Sequence, residues 1–133
     1  MNYLLDTCVI SDLFKKKPQV IARFKSVSPE NIYISSISIM EIEYGLRLNP
    51  EREAKIRPHW NSLLKHVHVV PYSAQCAIAS AHLREYLKKK GLLIGPYDVL
   101  LAGMSVANDM VFVTSNVGEF KRIDGLIIED WRS

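Results

Sequence analysis

The sequence has little that would staple, anchor or export it. Its two cysteines, Cys8 and Cys76, lie far apart and belong to no CxxC pair or zinc-ligand spacing. Both are read as small core residues, with no disulfide expected in a reducing compartment. No apolar run approaches the ~20 residues needed to cross a bilayer. The N-terminus has no basic stretch followed by an apolar core and a small-residue cleavage site, so the cytoplasm is the expected location. There is no internal repeat and no low-complexity tract. A glycine-rich phosphate loop is also missing, which argues against nucleotide binding as the main task. With 133 residues, a single domain spanning 1–133 is expected. Such a domain buries roughly 65–70% of the surface its unfolded chain exposes, enough to fold without a structural metal. A metal, if used, would then serve function.

What is present begins with charge. The net charge is only +3, but the basic residues are grouped: Lys15–Lys17, Lys55 with Arg57, Lys88–Lys90, and Lys121 with Arg122. Each group alone is an ordinary solvated helix end. Arranged around an acidic centre, they would suit a polyanionic substrate.

The hydrophobic pattern alternates between strands and helices. Tyr3–Leu5 is a short apolar run ending at Asp6, and Val9, Ile10, Leu13 and Phe14 follow at helical spacing up to Lys15–Lys17. Pro18 opens a second helix through Val20, Ile21, Phe24 and Val27, and Asn31–Ser35 reads as a second strand. Ser38 and Glu41 fit a capping box, ahead of a helix whose buried side is Ile39, Ile42 and Leu46. Asn49 and Pro50 then open the cleanest amphipathic pattern of the chain, Ile56, Trp60, Leu63, Leu64 and Val67, completing a helical hairpin. His66–Val70 is a third strand. Ser73 caps a fifth helix that ends at Gly91, and Gly95 and Pro96 start a sixth, rich in small residues and expected to lie close against a sheet. Met110–Thr114 is a fourth strand, Ser115–Phe120 a turn, and Leu126–Ile128 a fifth strand.

Short, continuously apolar strands separated by helices indicate an α/β fold, with a parallel sheet covered on both faces and a helical hairpin after strand 2. Right-handed crossovers favour the order 3-2-1-4-5, which reverses between strands 1 and 4. Ligands bind such sheets beyond the carboxyl ends of the strands at that reversal.

Four acids map to this edge: Asp6 after strand 1, Glu41 in the helix after strand 2, Asp98 at the start of the helix before strand 4, and Glu119 just past strand 4. Each has a structural reading in isolation. Asp6 can cap a helix, Glu41 can complete the capping box, Asp98 can complement a helix dipole and Glu119 can sit on a surface turn. Together they form a group of like charges that resist ionising side by side unless a cation joins them. Hard oxygen donors without a Cys/His cluster favour Mg2+ or Mn2+ over zinc. His59, His66, His68 and His82 lack ligand spacing with the acids. Thr7, Ser115 and Asn116 are polar neighbours able to orient water, metal or phosphate. Such a site suits metal-assisted phosphodiester cleavage. Glu43, Glu51, Glu53, Glu85, Asp109 and Asp124 do not share this placement and read as solvated.

With these residues in place, the chain resembles the PIN-domain ribonucleases, and among them the small VapC-type toxins of toxin–antitoxin pairs. The resemblance runs through YLLDTCVIS at the start, SISIMEIEYG with Glu41 and Gly45 four apart, GPYDVLLAG around Asp98, and VFVTSNVGEF with Asn116 and Glu119. It implies a three-layer PIN-like fold and an Mg2+- or Mn2+-dependent endoribonuclease. Asp6 and Asp98 are the implied metal ligands, with Glu41 and Glu119 as further acidic members. It also implies RNA as substrate, with transfer RNA as the family-level expectation, and a homodimer. The implied partner is a VapB-type antitoxin that binds DNA and lays its C-terminal segment over the site, for which the hairpin around Leu46–Trp60 offers a groove. Where many relatives have an aspartate after strand 4, this chain has Asn116 and then Glu119, so a site for one ion and a site for two both stay open.

Other readings are weaker. A haloacid-dehalogenase-type phosphotransferase needs a second aspartate two residues after the first, where Cys8 stands. A receiver domain needs an aspartate after strand 3, where Pro71 and Tyr72 stand. A PIN-like module that binds nucleic acid without turnover is the remaining alternative.

Overall fold

Leu4 and Leu5 lie side by side in the first strand, yet they belong to different cores, and that alternation explains the architecture. A computed structural model describes all residues 1–133. The strands are β1 (Tyr3–Leu5), β2 (Ile32–Ser35), β3 (His68–Val70), β4 (Val111–Val113) and β5 (Ile128–Glu129), all parallel, in the order β3-β2-β1-β4-β5. Successive side chains of a strand face opposite ways. Leu4 and Phe112 therefore point to one core, and Leu5 and Val113 to the other.

The first core is covered by α5 (Ala74–Lys89), α6 (Pro96–Ala107) and the short α7 (Val117–Phe120), through Cys76, Leu87, Leu101, Met104 and Phe120. The second is covered by α1 (Thr7–Phe14), α2 (Pro18–Ser26), α3 (Ser36–Arg47) and α4 (Pro50–His66), through Ile10, Val20, Leu46 and Trp60. Burying large side chains on both faces of one sheet is the principal stabilising term for a chain this size. The three-layer arrangement and the strand order are those expected from the sequence. No helix is long and apolar enough to cross a membrane.

Several boundaries differ from the pattern reading. α1 begins at Thr7, directly on the Asp6 cap. Asn31 belongs to a 3-10 turn (Pro29–Asn31), and the second strand starts at Ile32. His66 closes α4, so β3 starts only at His68. The last strand is Ile128–Glu129 rather than Leu126–Ile128, because Phe112 and Val113 pair with Ile128 and Glu129.

The Ser38–Glu41 capping box does not form. Pairing with Val70 carries β2 through Ser35, whose hydroxyl accepts the Ile37 N–H at 2.9 Å and caps α3. Ser38 and Glu41 then fall inside the helix. Glu43 is not simply solvated: it takes two hydrogen bonds from Arg57, at 2.6 and 3.0 Å, and one from Trp60 Nε1 at 2.7 Å, tying the α3–α4 hairpin together. Trp60 itself is fully buried core. Glu53 likewise pairs with Arg57, and Asp124 accepts the Tyr86 hydroxyl.

α6 packs on the sheet as expected, and its small residues also admit a second helix. Gly103 faces α5, where a Cβ would lie 2.9 Å from Ser80 N and 3.0 Å from Ser80 Cα. The two helices approach so closely there that only glycine fits.

A second feature had no local signal. Asp12, fully buried in α1, accepts Arg132 Nε at 2.7 Å and Nη2 at 2.8 Å, and lies 3.4 Å from Lys17 Nζ. This clamps the C-terminus onto the helix that follows Asp6. Burial alone would raise the Asp12 carboxyl, but the hydrogen bonds and charges of Arg132 and Lys17 outweigh it and hold the group below the usual aspartate range.

Candidate active site

The sheet delivers its residues by register. Leu5 pairs with Ile34 on one side and Val113 on the other, so Asp6, Ser35 and Thr114 all emerge at the same strand ends. The Asp6 N–H continues the ladder by donating to the Val113 carbonyl at 2.8 Å. Its carboxylate is then fixed from two sides. Oδ1 accepts the Thr7 N–H at 2.7 Å, and Oδ2 accepts the Thr114 hydroxyl at 2.8 Å and the Cys8 thiol at 3.4 Å. Asp6 is therefore both a helix cap and a site residue, and only 6% of its surface is exposed. Burial raises its carboxyl; the bonds from Thr114, Cys8 and Thr7 pull it down again in part, and the charge of Glu119 adds to the rise.

Glu41 reaches the same crevice from α3. Thr7 Oγ1 donates to Glu41 Oε1 at 2.8 Å and also contacts Ser38 Oγ at 2.9 Å. With the Thr7 proton on Glu41, the buried Ser38 hydroxyl donates to Thr7, so a two-hydroxyl relay holds the glutamate in place.

Asp98 comes from the first turn of α6. Gly95 caps that helix at close quarters, since a Cβ there would lie 2.8 Å from Asp98 Oδ2. Glu119 faces Asp98 from α7. Its Oε1 accepts the Gly95 N–H at 3.1 Å and its Oε2 accepts Asn116 Nδ2 at 2.6 Å. Asp98 and Glu119 are neighbouring carboxyls that act on one another directly. Burial, the close approach of Glu119, and the charges of Glu119, Asp6 and Glu41 push the Asp98 carboxyl up to about 7. Glu119 goes the other way: burial would raise it, but the Gly95 N–H, Asn116 and Asp98, with Arg122 nearby, hold it below its usual range. A proton on Asp98 relieves a cluster that otherwise carries too much negative charge.

All four sequence-selected acids thus converge. No three His, Cys, Asp or Glu side chains stand close enough together, as they are placed, to hold a metal ion. The donors that face the crevice are carboxylate, hydroxyl and amide oxygens, the donor chemistry a hard divalent cation takes, and a cation there would relieve the repulsion between the acids.

The neighbours are redistributed. Thr7 orients Glu41, and Asn116 orients Glu119. Ser115 contacts the Cys8 thiol at 3.3 Å and none of the acids. Cys8, read as a core residue, is half-buried between Asp6 and Ser115, where burial and the Asp6 charge push its thiol up. The sequence reading took Thr114 only as the end of a strand and Ser38 only as a helix cap. The register argument that placed Asp6 could have found Thr114; nothing local marks Ser38. Of the basic groups, Arg122 lies near Glu119, whereas Lys17 and Arg57 are spent on Asp12 and on Glu43 and Glu53.

Against known proteins, the sequence matches the PIN domain family over residues 3–126. It is 37% identical over 133 residues to the tRNA(fMet)-specific endonuclease VapC of Salmonella typhimurium, covering 98% of each chain. It is 34% identical to the Ribonuclease VapC2 of Rickettsia felis, again over 98% of each. The fold superposes on the crystal structure of VapBC2 from Rickettsia felis, bound to a DNA fragment from its promoter, with a TM-score of 0.91 at 32% identity, covering 98% of this chain and 99% of that one. From the strand order, the four converging acids and this likeness along the whole chain, the protein belongs to the PIN domain family.

Proposed function

We propose that the chain is a Mg2+- or Mn2+-dependent endoribonuclease, the toxin of a toxin–antitoxin pair. In this reading it acts in the cytoplasm as a homodimer and is restrained by a VapB-type antitoxin that binds DNA. The observation that carries the nuclease reading is the convergence of Asp6, Glu41, Asp98 and Glu119 from four separate segments, with Asp98 raised to about 7 by burial and by their company. A fold that needed these residues only as caps would have no reason to aim them at one another. The names of the relatives support RNA, and transfer RNA in particular, as the substrate class. A solved complex of a relative with its partner on promoter DNA supports the antitoxin.

Asp6 and Asp98 would hold the ion, with Glu41 joining directly or through water. A bound Mg2+ or Mn2+ would polarise a phosphate oxygen and lower the pKa of an attacking water. The protein's part is positional. Thr114 and the Thr7 N–H fix the Asp6 oxygens, Ser38 and Thr7 fix Glu41, and Gly95 and Asn116 fix Glu119 beside Asp98. In-line attack then forms a bond from water oxygen to phosphorus as the bond to the leaving 3′ oxygen breaks, and that oxygen takes up a proton.

The test is cleavage of initiator transfer RNA by the purified chain with Mg2+ or Mn2+. Asp6→Asn and Asp98→Asn should each lower the rate by at least about 1,000-fold while the circular dichroism spectrum stays that of the wild type. Cleavage that survives both substitutions and excess EDTA would refute the assignment.

A further inference from the structure

Beside the carboxylates, the surface between α1, α3 and the start of α4 holds a concavity of about 190 Å3. Thr7 and Glu41 form its wall on the catalytic side, Phe14, Ile42 and Leu46 give it apolar surface, and Arg52 stands at its edge. We propose that this concavity is a nucleotide subsite of the RNA substrate, taking the ribose and base next to the cleaved phosphodiester while Arg52 binds a neighbouring phosphate. The proposal deepens the nuclease reading and rests on it.

Three observations carry it. The first is continuity: Thr7 and Glu41 belong at once to the acidic crevice and to this concavity, so a chain bound across one enters the other. The second is charge. Arg57, a turn and a half further along α4, is held by Glu43 and Glu53, and Arg23 and Arg132 are held by Glu129 and Asp12. Arg52 is exposed and has no acidic side chain within ion-pairing distance, so its guanidinium is free for a phosphate. Asn49 caps its backbone N–H and fixes where α4 begins, which sets the arginine at the rim.

The third is Gly45. Glycine in a helix interior is about 1 kcal/mol less favourable than alanine. Here no crowding requires it, because a Cβ at Gly45 would meet no atom within 4 Å. Gly45 lines the concavity, so a side chain there would meet whatever enters it. A volume of about 190 Å3 is on the scale of one ribose and base, which suits a single-nucleotide position. An apolar floor with a cationic rim is also how a protein holds unpaired RNA, stacking or packing the base and neutralising the backbone.

The test compares wild type with Arg52→Ala, Arg52→Lys and Gly45→Leu in two assays. One measures kcat and KM on initiator transfer RNA in Mg2+ across a salt series. The other measures fluorescence anisotropy of a fluorescein-labelled single-stranded RNA hexamer in EDTA, without turnover. Arg52→Ala should raise KM and weaken hexamer binding about tenfold, change kcat less than twofold, and reduce the slope of log affinity against log salt by about one. Arg52→Lys should fall between Arg52→Ala and wild type, because it keeps the charge and loses the planar fork. Gly45→Leu should raise KM with an unchanged salt slope.

Wild-type KM and hexamer affinity in both Arg52→Ala and Gly45→Leu would overturn the subsite. If those variants instead lose only inhibition by an antitoxin C-terminal peptide, the concavity is a protein contact and the proposal again falls. Failure of the wild type to cleave any RNA would count against the nuclease reading, and the hexamer assay would still decide the subsite.

Discussion

Replacing Gly103 with alanine sets two physical rules against each other, and the structure decides between them. Helix propensity alone predicts that alanine stabilises α6 by about 1 kcal/mol. Packing predicts the opposite. The new methyl would lie 2.9 Å from Ser80 N and 3.0 Å from Ser80 Cα, both backbone atoms that cannot rotate away. The Ser80 hydroxyl in its path is pinned too, donating to the Cys76 carbonyl at 2.8 Å and contacting the Tyr72 hydroxyl at 2.9 Å.

Forcing a methyl into a packed interface costs typically 1–3 kcal/mol. Set against the propensity gain, the net effect of Gly103→Ala is a loss of up to about 2 kcal/mol, or a melting temperature lower by up to roughly 8 °C for a chain of this size. Asp98 lies on the same helix, five residues earlier, so parting α6 from α5 also disturbs the acidic cluster and should slow cleavage. Removing the hydroxyl as well, in Gly103→Ala with Ser80→Ala, should recover only part of the stability, because the backbone clash stays. Urea and thermal unfolding of the two variants beside wild type measure this directly. A melting temperature for Gly103→Ala above that of wild type, as propensity alone predicts, would refute the claim that helix approach dictates the residue.

Two further expectations concern groups that hold the site without entering it. Thr114→Val keeps the shape of a fully buried residue but removes the hydroxyl that donates to Asp6 and accepts the Asn116 N–H; calorimetric Mn2+ affinity should fall about 10–100-fold, Thr114→Ser should restore it, and wild-type affinity in the valine variant would show that Asp6 needs no such support. Arg132→Ala strands the buried Asp12 carboxylate with Lys17 alone and should cost about 2–3 kcal/mol, less than a fully buried pair because the Arg132 side chain is 43% exposed. Asp12→Asn should cost less, about 1–2 kcal/mol, since the freed arginine can rehydrate. Because the folded Asp12 is held below its usual range, its stabilisation is complete above the unfolded value of ~3.9 and fades as the pH drops through the folded one. The gap between wild type and Asp12→Asn in urea unfolding should therefore close in acid, and a gap constant from pH 7 to pH 3 would contradict the ion-pair account.

What the sequence made legible, and what it hid, follows from the range of the interactions involved. Asp6, Glu41, Asp98 and Glu119 could be found because each lies near a boundary where a strand gives way to a helix, and the parallel topology sends all such boundaries to one edge. Their partners carry no such local mark. A threonine closing a strand, as Thr114 does, is an ordinary β-former, and a cysteine at Cys8 is an ordinary small apolar residue. A serine at Ser38 fits a capping box as well as it fits a buried relay. Three serines at 35, 36 and 38 offered the cap equally to any local rule, and the choice fell to Ser35 because a strand two connections away pairs with it. Asp12 and Arg132 are 120 residues apart, and no periodicity links them. The carboxylates are thus written in element boundaries, whereas the hydroxyls and ion pairs that aim and clamp them exist only once the sheet has brought distant segments together. For that reason substitutions at Thr114, Ser38 and Gly103, rather than at the acids, are the ones that distinguish this structure from any other arrangement carrying the same four acids.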